Sequence, residues 1–288
     1  MSAFRIDRLT VIGVGLIGGS LALALKEAGF VNEVVGCGRG KPNLETALKA
    51  GIIDRYERDP QKAVAGADLV FLATPVRTLA EVVAEIAPAL KPGAILTDGG
   101  SVKGSVLREI SPLVPPGVHF IAGHPIAGTE KSGAEAAFAS LYQGKCCILT
   151  PNSQTDPDAL EAVTAMWQAA GSEVVCMPVE KHDRVLAAIS HLPHMVAYSL
   201  VNAVGSYDHY EENILEYSAG GFRDFTRIAS SDPVMWRDIA LTNRDALLEM
   251  MGQFENFFAE LKEDVRKGDI ERLFEFFLRS KQLRDAIL

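Results

Sequence analysis

The feature that most constrains this chain is a glycine-spaced turn joining an apolar stretch to a helical one near the N-terminus. Leu9-Thr10-Val11-Ile12 reads as a strand, Gly13-x-Gly15-x-x-Gly18 as the turn after it, and Leu16 to Ala28 as a helix closed by Gly29. A lone glycine triplet says little. Set between strand and helix, it marks a dinucleotide-binding βα unit. The first glycine permits the tight turn, the second lets a pyrophosphate approach the backbone, and the third lets helix and strand pack closely. The helix start offers free N–H groups and partial positive charge to phosphate. Gly13, Gly15, Leu16, Ile17 and Gly18 are therefore expected to hold the cofactor, with Thr74 and Pro75 at the end of a later strand.

That unit opens a series. Glu33–Gly36, Asp68–Ala73, Ala94–Thr97 and Val118–Ala122 read as strands, and Leu44–Ala50, Leu79–Leu90 and Val102–Ile110 as helices. Alternation at this spacing predicts a doubly wound parallel sheet. Cys146–Thr150 and Val174–Met177 read as further strands around a helix from Pro157 to Ala170. From Lys181 the pattern is helical to the end, broken at Pro193 and at the turn-like Gly220-Gly221, with long runs at Leu241–Leu261 and Ile270–Leu283. The expected fold class is α/β, a Rossmann-type domain over 1–180 followed by an all-helical domain over 181–288. The helical part is rich in phenylalanine (Phe254, Phe257, Phe258, Phe274, Phe276, Phe277). That is more apolar surface than one small bundle needs, which points to a homodimer; a monomeric helical core is the alternative.

Composition narrows the partners. Lys and Arg number 28 against 37 Asp and Glu, a net charge of −9, and no basic run of five or more occurs. Nucleic acid is not an expected partner. No uninterrupted apolar stretch is long enough to span a membrane, and Met1 to Arg8 carries charge without a signal-like apolar run. Cys37, Cys146, Cys147 and Cys176 show no metal-ligand spacing and read as buried thiols in a reducing compartment. A cytoplasmic protein is expected, with no metal and no membrane association.

About 20 residues beyond the glycine turn, an NAD site usually places a carboxylate on the ribose diol. Here that place reads Gly36-Cys37-Gly38-Arg39-Gly40-Lys41. A guanidinium pairs bidentately with a 2′-phosphate that a carboxylate would repel. The sequence favours NADP, with Arg39 as phosphate ligand and Lys41 assisting. The alternative is NAD, bound without the diol contact, with Arg39 a solvated loop residue.

In such folds chemistry gathers at the carboxyl ends of the strands. Gly123-His124-Pro125-Ile126-Ala127-Gly128 places a histidine there, after an apolar strand. A neutral imidazole can take the proton of a hydroxyl as hydride departs. Asp98-Gly99-Gly100-Ser101-Val102-Lys103, Ser190-His191-Leu192-Pro193-His194 and Gly220-Gly221-Phe222-Arg223-Asp224-Phe225-Thr226-Arg227 follow the same architecture. With the glycine turn, and in this order, these segments resemble the prephenate/arogenate (cyclohexadienyl) dehydrogenases of tyrosine biosynthesis, over nearly the whole chain.

The resemblance implies a Rossmann domain followed by a helical dimerisation domain. It implies oxidative decarboxylation of a cyclohexadienyl dicarboxylate or amino acid, giving 4-hydroxyphenylpyruvate from prephenate or tyrosine from arogenate. His124 would accept the hydroxyl proton, and Ser101 would bond the same hydroxyl and help orient the imidazole. Arg227 would bind a substrate carboxylate. His191 and His194, three apart, would share one face toward the substrate. His194 is similar to members that accept prephenate, and NADP use to the arogenate type, so a broad cyclohexadienyl activity reconciles the two. Duller readings stand beside these. His191 can be a packing residue, Arg223 and Asp224 an ion pair holding the Arg227 loop, and Lys103 a surface residue at a helix start. His119, His182 and His209 have no supporting context. Competing functions are another Rossmann-plus-helical NADP oxidoreductase, of the β-hydroxyacid dehydrogenase or imine reductase type, and a non-catalytic NADP sensor. Neither needs His124 together with Arg227. Replacing Arg39→Asp is expected to move the ratio of kcat/KM values toward NAD; an unchanged ratio contradicts the Arg39 assignment.

Overall fold

The computed structural model describes residues 6–207 and 214–287. Six strands form one parallel sheet: β1 (Ile6–Ile12), β2 (Val31–Cys37), β3 (Arg55–Glu57), β4 (Leu69–Leu72), β5 (Ile95–Asp98) and β6 (His119–Ile121). Their order is β3-β2-β1-β4-β5-β6. The direction of winding reverses between β1 and β4, and ligands of open α/β sheets bind outside the carboxyl ends at such a point. The expected doubly wound sheet is present. Only β3 escaped the sequence pattern, because Arg55-Tyr56-Glu57 is short and half-buried rather than apolar.

Alternate residues of the central strands feed two cores. Leu69 and Phe71 face one and Val70 and Leu72 the other, all buried. A strand covered on both faces reads as an unbroken apolar run, which is why β4 was legible. The first core is closed by helices Leu16–Glu27 and Pro157–Ala169, with Trp167 fully buried edge-on to Phe71 and Tyr142. The second is closed by helices Leu79–Ile86 and Gly104–Ile110, and receives Trp236 and Ile239 from helix Pro233–Thr242.

After β6 the chain leaves the main sheet. Strands β7 (Gly123–Pro125), β8 (Cys146–Leu149) and β9 (Glu173–Cys176) form a separate three-stranded sheet, with β7 antiparallel to β8 and β8 parallel to β9. Side chains explain the departure. Asp98 Oδ1 accepts from Gly123 N at 3.1 Å, and Lys103 Nζ donates to Gly123 O at 2.8 Å. Both backbone groups of Gly123 are thus held by side chains at the end of β5. Lys103 also pairs with Asp98, and neither side chain has any exposed surface. The surface reading of Lys103 is therefore corrected: it lies in the core, under the strand that carries His124.

The helical remainder departs from pattern at three places. Helix Val179–Leu186 runs through a π turn, Ala187–His191, into helix Leu192–Tyr207, so Pro193 does not break the path. A proline ring collides with the carbonyl four residues back, and a widened turn relieves that collision. Gly220-Gly221 begins a helix, Gly220–Thr226, rather than interrupting one. The expected run from Leu241 is divided at Asn243, where helix Pro233–Thr242 ends and helix Arg244–Lys267 follows. His209 lies outside the described residues, as does part of the N-terminal segment read for signals. All four cysteines are free thiols, but only Cys37 and Cys147 are buried; Cys176 is exposed, correcting the expectation for that residue. No helix among the described residues is long and apolar enough to cross a membrane.

Contacts divide the chain into two compact units, Met1–Arg244 and Asp245–Leu288. In the second, helix Ile270–Asp285 starts on an Asp269 cap, and Arg272 pairs with Asp264 at 3.0 Å. Phe258 is 59% exposed, Phe274 64% and Ile270 81% in the single chain. The phenylalanine-rich surface is thus not consumed by a core of this unit. In the first unit, Lys103→Met should destabilise the protein by about 3–5 kcal/mol, since it leaves the Asp98 carboxylate buried without its counter-charge. Equilibrium urea unfolding checks this, and a loss below about 1 kcal/mol contradicts a structural role for the pair.

Candidate active site

The cofactor cradle stands at the switch point. Gly13 has φ +98°, and a Cβ there would lie 2.6 Å from Ala73 O; a Cβ on Gly18 would lie 2.3 Å from Gly13 O. A Cβ on Gly15 would meet nothing within 4 Å. Packing therefore requires the outer two glycines, while the middle one faces open space at the start of helix Leu16–Glu27. No side chain caps that helix start. This is the shape and donor set that a pyrophosphate needs. Asn43 fixes the loop, donating to Val14 O at 2.7 Å and accepting from Ala134 N at 2.9 Å. Thr74 Oγ1, at the end of β4 beside Gly13, is buried with no partner among the described residues. The cradle fits a dinucleotide.

Arg39 follows β2 and is exposed, with its carbonyl accepting from Arg58 Nη2 at 3.3 Å. Arg58 is a second guanidinium at this corner. Lys41 is engaged by Glu45 at 3.4 Å, one turn along its own helix. Burial pushes the Cys37 thiol up to about 11, and Glu85, Asp59 and Glu57 add to the effect. Carboxylates thus reach the end of β2 from other segments, which the local reading of 36–41 did not show.

On the opposite side of β5 stands His124, in β7, only 8% exposed. Its Nδ1 lies 2.9 Å from His182 Nε2, and His182 Nδ1 lies 2.8 Å from Asp183 Oδ1. Asp183 also accepts from Lys103 N at 2.9 Å and Gly104 N at 2.8 Å. Burial raises its carboxyl, but His182 and these two amides outweigh that and hold it below the ordinary value. An ionised carboxylate only accepts, so the proton roles are fixed in turn. His182 carries its proton on Nδ1 and accepts at Nε2. His124 donates from Nδ1 and keeps a lone pair on Nε2. No hydrogen bond to that Nε2 is seen among the described residues. Burial, then the neighbouring His182, Lys103 and His191, hold His124 well below the ordinary imidazole value, so it is neutral near pH 7. The arrangement can accept one proton at Nε2 and spread the resulting charge toward Asp183.

The remaining candidates gather around Trp236. His194 stacks on its ring, with centroids 3.6 Å apart, and His191 meets it edge-on at 6.0 Å. His194 Nδ1 donates to Ser190 O at 2.9 Å, leaving Nε2 as an acceptor. Burial lowers the His194 pKa, and nearby Arg227 lowers it further against the pull of Ser190. His191 is 1% exposed; its Nδ1 faces Asn243, and its Nε2 is buried with no partner among the described residues. Leaving such a buried polar atom unpaired costs about 1–3 kcal/mol. Arg227 is exposed and meets Glu130 at 3.4 Å, a contact that binds the guanidinium weakly. Arg223 donates to Ser218 Oγ at 3.3 Å, so the contact seen for it is not the one proposed with Asp224. Ser101 is half-buried in the turn between β5 and helix Gly104–Ile110. The orienting partner seen on His124 is His182, not Ser101. Sequence reasoning assigned nothing to His182, Asp183 or Asn243. The signal that existed was the adjacent His182-Asp183 pair at a helix start.

Comparison with known proteins bears on this geometry. The sequence description of the prephenate dehydrogenase nucleotide-binding domain matches residues 21–176, and that of the prephenate dehydrogenase dimerization domain matches 178–279. A cyclohexadienyl dehydrogenase of Zymomonas mobilis is 38% identical over 100% of this chain and 97% of its own. The crystal structure of prephenate dehydrogenase from Aquifex aeolicus, in complex with hydroxyphenyl propionate and NAD+, superposes with a TM-score of 0.93 at 37% identity, covering 100% of both chains. Synechocystis arogenate dehydrogenase gives 0.81 at 29% identity, over 98% of this chain and 100% of that one. On fold and on full-length similarity alike, the chain belongs to the prephenate dehydrogenase family.

Proposed function

We propose that this protein oxidatively decarboxylates a cyclohexadienyl acid, arogenate or prephenate or both, to tyrosine or 4-hydroxyphenylpyruvate. The observation that carries the reading is the His124–His182–Asp183 chain, which leaves the lone pair of His124 Nε2 as the one proton acceptor of the relay not already engaged. A nicotinamide bound in the Gly13–Gly18 cradle, beside Thr74 and Pro75, supplies the hydride acceptor. His124 Nε2 takes the proton of the ring hydroxyl as the C–H bond of the same carbon breaks. The bond to the ring carboxylate breaks, carbon dioxide leaves, its electron pair completes the aromatic ring, and the ring oxygen takes the proton back from His124 to give the phenol. Ser101 bonds the hydroxyl. Arg227, which meets Glu130 at 3.4 Å, takes a substrate carboxylate. His194 and His191 contact the substrate from the Trp236 side. A positioned base of this kind contributes about 10²–10⁴-fold.

NADP is the favoured cofactor, held at its 2′-phosphate by Arg39. The second reading is NAD: carboxylates stand near the end of β2, and the Aquifex relative was solved with NAD+. A homodimer is proposed through the helical part, on the exposed Phe258, Phe274 and Ile270 and the dimerization-domain match. A cytoplasmic location is the matching expectation.

The test is the appearance of reduced nicotinamide with prephenate and with arogenate, each with NAD and with NADP. Turnover with either acid is expected, and the ratios fix both preferences. No turnover in all four combinations overturns the reading. His124→Asn should abolish turnover while cofactor binding persists. Asp183→Asn should lower kcat by about 10²–10⁴-fold, because it removes the carboxylate charge that holds the His182 and His124 protons on Nδ1. Wild-type kcat in Asp183→Asn removes the relay from the mechanism.

A further inference from the structure

Asn243 ends helix Pro233–Thr242 and is 5% exposed. Its Nδ2 lies 2.9 Å from Asp183 O and 3.0 Å from His191 Nδ1. A carbonyl oxygen only accepts, so the atom between these two groups is the amide nitrogen rather than the amide oxygen. One of its hydrogens goes to Asp183 O, and the other points at His191 Nδ1. A proton on that Nδ1 would face an N–H. The ring proton of His191 therefore sits on Nε2, the buried nitrogen with no partner among the described residues.

We propose that Asn243 is a positioning residue that locks His191 as a neutral Nε2–H donor for an acceptor oxygen of the substrate. This rests on the cyclohexadienyl reading of the site. The groups that face His191 support it from each packed element. Asp183 and His182 face it from the helix before the π turn, His194 from the helix after it, and Trp236 edge-on from helix Pro233–Thr242. Burial, then His182 and His194, outweigh Asp183 and lower His191 to about 4, so the ring is uncharged through the neutral range. Substrate binding exchanges a sealed, unpaired N–H for a hydrogen-bonded one. The same amide also donates to the backbone carbonyl of Asp183, while the Asp183 carboxylate is held separately by Lys103 N, Gly104 N and His182.

Two measurements test the proposal. Nitrogen-15 NMR of the histidine rings in the full-length wild-type protein, with His191 assigned by its loss in His191→Phe, should show Nε2 protonated and Nδ1 bare from about pH 6 to about pH 9. A proton on Nδ1 overturns the proposal, and this arm needs neither turnover nor an Asn243 variant. Asn243→Asp should reverse the tautomer, because a carboxylate accepts from Nδ1–H and leaves Nε2 bare once the ring is neutral. In that variant the substrate KM should climb by about tenfold or more from about pH 6 to about pH 9, where the His191 cation gives way to a ring with no donor. The kcat should change far less, and the wild-type KM should show no such climb. Asn243→Ala, which adds no charge, should raise KM across the whole range and serves if the acidic variant does not fold. KM values that track wild type in these variants overturn the donor role. Absence of any turnover by wild type overturns the functional reading instead, while the ring-proton result stands by itself.

Discussion

An ammonium and a carboxylate, both without exposed surface, meet at the end of β5, and the position of His124 depends on them. Taking Asp98 and Lys103 out of water is costly unless every lone pair and proton finds a partner. Here they do. Asp98 accepts from Gly100 N and Gly123 N, and Lys103 donates to Asp98 and Gly123 O. Gly123 is held at both its backbone groups, and the chain is turned out of the parallel sheet to pair with β8. A Cβ at Gly123 would lie 3.1 Å from Leu149 Cδ2 and 3.2 Å from Asp98 O, so the residue before His124 is confined by contact as well as by hydrogen bonds. The pair is a structural device whose product is the placement of an imidazole.

Its charge has a second consequence. Lys103 lies close enough to His124 and His182 to disfavour protonation of both. Asp183 offsets this at His182 and fixes the direction of the proton chain. Three tautomers around the site then follow from one carboxylate, one backbone and one amide contact: His182 from Asp183, His194 from Ser190 O, and His191 from Asn243. Neutral imidazoles with assigned proton positions give the pocket hydrogen-bond polarity without net charge. Arg227, proposed above to take a substrate carboxylate, lies on the solvated side, with its side chain 63% exposed.

What was legible in the sequence was local. The glycine turn, the apolar runs of β4 and β5, the strand before His124 and the amphipathic helices all express themselves within a few residues, because strand and helix periodicity are short-range properties. What was not legible joins distant residues. His124 meets His182 across 58 positions, Lys103 N meets Asp183 across 80, and Asn243 meets Asp183 across 60. Lys103 read as a surface lysine because the local pattern carries no sign of the carboxylate beneath it. The second sheet was hidden for the same reason: Cys146–Leu149 looks like any buried strand, and only the capture of Gly123 decides which sheet receives it. The corner at Arg39 shows the limit most clearly, since Arg58 and the acidic residues around Cys37 arrive from segments outside the window that chose NADP.

The central claim is that a neutral His124, its proton pinned on Nδ1, is the base in the free enzyme. The most direct test is the pH dependence of kcat/KM for the cyclohexadienyl substrate at saturating cofactor, which reports ionisations of the enzyme before that substrate binds. The account predicts that the acid limb, on which activity falls as His124 is protonated, lies clearly below the ordinary imidazole value of about 6.5. An acid limb at or above that value would mean that His124 is cationic where this structure requires it to be neutral, and would contradict the account.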